Sequence, residues 1–119
     1  MFGTGWVDNI FGRKGNDHLY GFEGNDYITG GDGTDQIFGA GGDDIIYTDY
    51  GWQEMDVRGK KSGDKDFASG GSGNDKLYGS SKKGFDENLF GGEGHDLLKG
   101  YKGDDTLDGG AGADKLYGD

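Results

Sequence analysis

No cysteine occurs among the 119 residues, which removes disulfides and thiolate metal sites and leaves the redox compartment open. Hydrophobic residues are scarce at 30% while glycine alone fills 29 positions, so an ordinary globular core is not expected. No apolar run is long enough to cross a bilayer, and the start, Met1-Phe2-Gly3-Thr4-Gly5-Trp6, lacks the charged and apolar regions of a cleaved secretory signal. Positive charge is short as well: 12 Lys and Arg stand against 23 Asp and Glu, a formal net charge of −11. So acidic a chain is a poor partner for nucleic acid or anionic membranes, which carry the same sign, and a good one for multivalent cations. Self-repelling and with little apolar surface to offset chain entropy, it is expected to be largely disordered when metal-free.

What the chain does have is a period of nine. From Gly12 the blocks read GRKGNDHLY, GFEGNDYIT, GGDGTDQIF and GAGGDDIIY; the phase resumes at Gly70 with GGSGNDKLY and again at Gly91 with GGEGHDLLK, GYKGDDTLD and GGAGADKLY. A looser block, GTGWVDNIF, extends it back to Gly3, and a twelve-residue block, GSSKKGFDENLF, bridges residues 79–90. A disordered linker has no reason to fix offsets in this way. The eighth position is aliphatic in all ten blocks (Ile10, Leu19, Ile28, Ile37, Ile46, Leu77, Leu89, Leu98, Leu107, Leu116) and is the expected core column. The sixth is aspartate throughout, from Asp8 to Asp114, except that the long block offers either Asp86 or Glu87. A helix would scatter these columns around its 3.6-residue turn, and each glycine would cost it about 1 kcal/mol.

The blocks match G-G-x-G-x-D-x-U-x, with U a large aliphatic, and over nearly its whole length the chain resembles the repeats-in-toxin (RTX), or hemolysin-type, calcium-binding family. The chemistry is reasonable on its own terms. Calcium takes about six to eight hard oxygens, backbone carbonyls included, and glycine turns can aim carbonyls inward. About three residues per block remain for a strand, so two blocks must make one coil, with repeats i and i+2 stacked at roughly 4.8 Å. The resemblance implies an all-β fold, a right-handed parallel β-roll, with ions shared between neighbouring turns. By the same analogy the metal ligands are the side chains of Asp17, Asp26, Asp35, Asp44, Asp75, Asp96, Asp105 and Asp114. Turn carbonyls would complete the shells, from Gly12, Gly15, Gly21, Gly24, Gly30, Gly33, Gly39, Gly42, Gly70, Gly73, Gly91, Gly94, Gly100, Gly103, Gly109 and Gly112. Roughly five to eight Ca²⁺ ions are expected, since about five or six would balance a charge of −11.

The chain reads as a single domain, residues 1–119. Residues 3–11 form a degenerate N-terminal cap repeat in which Trp6 and Val7 replace turn residues. Regular repeats cover 12–47 and 70–117, the latter with the irregular block at 79–90. Between them, residues 48–69 are either a looped-out insertion or two degenerate half-coils, with Met55 and Phe67 turned inward, a bulge near Lys60 and Lys61, and no properly placed aspartate. An EF-hand beginning at Asp64 fails, because its sixth position would be Ser69 instead of glycine and its twelfth Asp75 instead of glutamate. Aromatic residues recur at position nine and are expected to form ladders on the outer faces. His18 and His95, lacking partners at ligand spacing, read as surface residues.

The leading expectation is a calcium-responsive, non-enzymatic module that folds on meeting extracellular Ca²⁺. Because the repeats run almost to both ends, a piece of a larger protein is expected, monomeric and with no membrane insertion by this segment; the resemblance implies a bacterial parent secreted by a type I channel. The alternative is a polysaccharide-binding or adhesive module using the outer aromatics and Trp52.

Overall fold

The computed structural model describes residues 1–48, 65–80 and 86–118. Each block delivers its end and the start of the next to a strand: β1 (Asn9–Lys14), β2 (His18–Glu23), β3 (Tyr27–Asp32), β4 (Gln36–Gly41), β5 (Ile45–Tyr47), β6 (Phe67–Ser72), β7 (Lys76–Tyr78), β8 (Asn88–Glu93), β9 (Leu97–Tyr101), β10 (Thr106–Ala111) and β11 (Lys115–Gly118). Successive strands fall in opposite sheets. Odd strands form a six-stranded sheet in the order β1-β3-β5-β7-β9-β11, and even strands a five-stranded one in the order β2-β4-β6-β8-β10. All neighbours run parallel, with Ile10 opposite Ile28 and Leu19 opposite Ile37, so two blocks make one coil. The chain is a parallel β-roll of about five turns.

Strand alternation sends position eight inward and positions seven and nine outward. The core is accordingly one file from each sheet: Leu19, Ile28, Ile37, Ile46, Leu77, Leu89 and Leu98 are fully buried, Ile10 nearly so, and Leu107 packs against them. Leu116, in β11 at the edge of the odd sheet, is 47% exposed. Two aliphatic side chains per eighteen residues form a thin interior, and the turns must supply the remaining cohesion.

The turns form two unlike edges. Those leading from the even sheet to the odd one, residues 3–8, 21–26, 39–44, 70–75, 91–96 and 109–114, are all six residues long. The returning connections are 12–17, 30–35, 48–66, 79–87 and 100–105, so the two that depart from six residues both start at an odd strand and end at an even one. The register records the extra lengths: partners are 18 residues apart in Asn9↔Tyr27, 31 apart in Gln36↔Phe67 and 21 apart in Phe67↔Asn88. Among the described residues no strand separates β4 from β6 or β5 from β7.

The expectation that Phe67 points inward is corrected. Asp66 sits at position six, where it accepts a hydrogen bond from the Asp35 amide at 2.8 Å, and alternation then buries Ala68 and turns Phe67 outward. Gly51, Trp52, Met55, Lys60, Lys61, Asp64, Lys82 and Lys83 lie outside the described residues. At the N-terminus, residues 1–3 run along β2, with the Gly3 amide bonded to the Tyr20 carbonyl at 2.6 Å and the Tyr20 amide to that of Met1 at 3.0 Å.

Outer aromatics form a ladder on each sheet. On the even sheet Phe2, Tyr20, Phe38, Phe67 and Phe90 follow one another at ring separations of 5.4, 5.0, 5.5 and 5.2 Å. Phe67 stands at position seven and leans across the gap left by Ser69. On the odd sheet Phe11, Tyr27, Tyr47 and Tyr78 continue at 6.1, 5.7 and 4.8 Å, and Lys99 lies 5.6 Å from the Tyr117 ring centre. The near-parallel pairs, 8° for Tyr20–Phe38 and 17° for Tyr47–Tyr78, turn ring faces toward each other.

Candidate metal centre

Position six is built by a ladder along each edge. The amide of each position-six residue donates to Oδ1 of the aspartate one coil further on: Asp8 to Asp26, Asp26 to Asp44, Asp44 to Asp75, Asp75 to Asp96 and Asp96 to Asp114, at 2.8–2.9 Å. The opposite edge repeats this from Asp17 to Asp35, Asp35 to Asp66, and Glu87 to Asp105. One carboxylate oxygen is thus fixed by backbone. The other is not: Oδ2 of Asp17, Asp26, Asp44, Asp75, Asp96 and Asp105 is buried without a hydrogen-bond partner. A buried anionic oxygen without a donor is costly, and a row of them one coil apart has the form of a ligand set for cations.

The position-one glycines show where a cation would lie. A Cβ built on Gly12 would come within 2.7 Å of Asp17 Oδ2 and 2.5 Å of the Gly30 carbonyl oxygen. At Gly39, Gly91 and Gly21 the same place is shared by the carboxylate of Asp44, Asp96 or Asp26 and the carbonyl of Gly70, Gly109 or Gly39 in the next coil. Hard oxygens from two stacked turns therefore converge on one spot that only glycine leaves open. Among the described residues no three His, Cys, Asp or Glu side chains gather to hold a metal unaided, so backbone carbonyls must supply much of any shell. This all-oxygen donor set fits calcium and does not fit zinc.

Position-four glycines act differently. Gly15, Gly24, Gly33, Gly42, Gly73, Gly94, Gly103 and Gly112 all have φ between 115° and 151° and make the tight reversal of each turn. Position two also has positive φ, yet it holds Arg13, Phe22, Ala40 and Tyr101 as well as glycine.

All eight aspartates expected as ligands stand at position six. Asp114 is the end of its file, and Asp8 is set apart by its own turn, where Oδ2 accepts from the Thr4 amide at 2.5 Å and the Thr4 hydroxyl at 2.8 Å. Asp66 and Glu87 join the position-six columns, the former hidden behind a long turn without block spacing, the latter by its extra methylene. Asp86 takes position five, where it accepts the Asp104 amide at 3.0 Å and pairs with Lys65 at 3.5 Å. It belongs to a second ladder that the block reading overlooked. Position-five side chains of Asn16, Asn25, Asp43, Asn74 and His95 accept the position-five amide of the following coil at 2.8–3.0 Å. The signal was present as Asn, Asp or His at that offset.

A family model for the RTX calcium-binding nonapeptide repeat matches the chain in four copies, at residues 2–37, 20–51, 62–81 and 84–119. The chain belongs to that family. Searches of the curated proteins and of the solved structures returned no match. Calcium is therefore the cation that these RTX turns suggest on family grounds as well as on donor chemistry. No helix among the described residues is long and apolar enough to cross a membrane.

Stacking carboxylates in RTX turns has an electrostatic consequence. Burial pushes the carboxyls of Asp26 and Asp96 up, that of Asp44 to about 6 and that of Asp75 to about 7; the ladder amides oppose the rise and neighbouring carboxylates add to it. Glu87 is pushed up to about 9 by burial and by Asp105, against the Ser80 amide. A carboxyl whose folded pKa exceeds its unfolded one retains protons that the unfolded chain sheds, so its contribution is full below about pH 4. For Asp44 and Asp75 that contribution is lost as pH rises through about 6 to 7. The metal-stripped chain should accordingly show more strand by circular dichroism at pH 4 than at pH 8. Calcium affinity should change in the opposite direction and weaken from pH 7 to pH 5. A flat response in both measurements would exclude these carboxylates as a coupled set.

Proposed function

We propose that this chain is a calcium-binding module that folds on meeting extracellular Ca²⁺ and forms part of a larger, type I-secreted bacterial protein. The observation that carries the reading is the row of buried position-six oxygens without donors, because protons or cations must neutralise them before the roll can close. The ligands are the eight position-six aspartates from Asp17 to Asp114 named above, with carbonyls of the position-one and position-four glycines; roughly five to eight ions per monomer follow from the stacked turns. At the low calcium of a cytosol the charge of −11 favours the open chain, and outside the cell mass action favours the roll. The role is structural, with no catalytic step.

Calcium titration followed by circular dichroism and calorimetry tests this. Coil in chelator, strand at millimolar calcium, and a binding stoichiometry of several ions are expected. Strand content indifferent to chelator would refute it. The polysaccharide reading draws no support from the near-parallel pairs Tyr20–Phe38 and Tyr47–Tyr78, whose ring faces are turned toward each other.

A further inference from the structure

Without cysteine, no disulfide can tie one coil to the next. Tyrosines stand where a different bond could. In the odd sheet Tyr47 of β5 and Tyr78 of β7 are direct partners in the parallel register, and the Thr48 amide beside them donates to the Tyr78 carbonyl at 3.0 Å. Both side chains occupy position nine, half-buried on the outer face, with ring centres 4.8 Å apart and planes 17° from parallel. Tyr27 of β3 adds a third phenol 5.7 Å from Tyr47, tilted by 48°. The even ladder offers no such pair, since the rings stacked on Tyr20 are those of Phe2, Phe22 and Phe38. Tyr47 and Tyr78 are also 31 residues apart in sequence, one on each side of the long connection 48–66. Parallel strands about 4.8 Å apart hold the two phenols side by side, an encounter that the open chain reaches only by closing a long loop.

We propose that Tyr47 and Tyr78 are an oxidative modification site, joined as a dityrosine that staples β5 to β7 across the long connection. The oxidant is hydrogen peroxide acting through a haem peroxidase, which removes one electron and one proton from each phenol. The two phenoxyl radicals join through the ring carbons ortho to oxygen, and the hydrogens on those carbons then move to the oxygens. Two tyrosines and one hydrogen peroxide thus give one dityrosine and two waters. Stacked rings bring these carbons together by turning about Cβ–Cγ, because the strands already hold them one strand spacing apart. Phenylalanine has no phenolic hydrogen to give up, so Tyr20 on the even sheet has no partner for the same coupling. The new bond closes a loop that the unfolded chain otherwise leaves open, and it favours the roll as a disulfide would. A loop of this length raises the folding constant by roughly a hundredfold; with several ions bound per folding event, the calcium midpoint for folding falls by about twofold to threefold.

The test treats the full chain with a peroxidase and hydrogen peroxide, in calcium and in chelator, and reads dityrosine fluorescence and the masses of linked peptides. In calcium the parent should give a linked monomer, lighter by two hydrogen atoms, whose peptide map joins Tyr47 to Tyr78. Tyr47→Phe and Tyr78→Phe should each lose that link, and Tyr20→Phe should keep it. The purified linked chain should show the lowered calcium midpoint by circular dichroism. A map that joins other tyrosines, coupling only between separate chains, or a link that forms equally well in a coil in chelator overturns the proposal. If the parent keeps both its strand content and its link in chelator, the staple stands and it is calcium-coupled folding that is refuted.

Discussion

Asp75→Asn should act in opposite directions in calcium and in chelator. Asp75 is 1% exposed in the middle of the uninterrupted edge; its Oδ1 receives the Asp44 amide at 2.8 Å, and its own amide reaches Asp96 Oδ1 at 2.8 Å. Asparagine keeps the accepting oxygen, so the ladder survives. What disappears is the charge and the donor-less Oδ2. With calcium present that is a lost ligand in a site shared by two turns, and the calcium midpoint for folding should rise by at least the roughly tenfold to hundredfold that losing a mere supporting group costs a metal site. Without metal the same change relieves repulsion from Asp44 and Asp96, which helps hold the Asp75 carboxyl up at about 7, so residual strand should be equal or greater. Asp108→Asn is the control: its exposed side chain at position nine bonds only the Gly110 amide, at 3.0 Å, and neither condition should respond. Equal destabilisation by Asp75→Asn with and without calcium would mean that the carboxylate serves only the fold.

The contrast explains why the main features were legible in sequence. Position eight is apolar because its side chain fills the interior; position six is acidic because it brings a buried side-chain oxygen between stacked turns, whereas the position-five oxygens that also bridge turns serve amides near the surface. A strict nine-residue period therefore gives core, ligand column and coil size together. It fails where a residue's place is set by a distant partner. Asp66 follows a long turn with no block spacing, and only its bond to the Asp35 amide, 31 residues away, fixes the register that buries Ala68 in place of the bulkier Phe67. Glu87 and Asp86 were indistinguishable by spacing, because a turn three residues longer than its neighbours allows either to be sixth. Stacking resolves them: Asp86 meets the Asp104 amide, and Glu87 faces Asp105. The aromatic ladder shows a similar substitution, since Phe67 at position seven fills a position-nine column that Ser69 leaves empty.

A pair of glycine substitutions should separate backbone strain from the close stacking of turns. Gly15 and Gly73 both occupy position four, with φ of 115° and 129°. A methyl on Gly15 meets nothing within 4 Å, so Gly15→Ala carries only the left-handed backbone penalty, about 1–2 kcal/mol. At saturating calcium that is a fall in Tm of roughly 5–15 °C for a domain of this size. A methyl on Gly73 falls onto the Gly42 carbonyl, with the carbonyl carbon 2.5 Å away. Neither turn can retreat easily, because the Gly42 amide is bonded to the Ser72 carbonyl at 2.8 Å and the Gly73 amide to that of Glu93 at 2.9 Å. Gly73→Ala should therefore cost clearly more than Gly15→Ala, to the point of preventing folding at calcium concentrations that saturate the parent. Both variants leave every carboxylate in place, so the difference reads the spacing of turns and not the supply of charge. Equal Tm losses at the two positions would show that adjacent coils can spread to admit a methyl, and the tight oxygen cradle between turns would lose its basis.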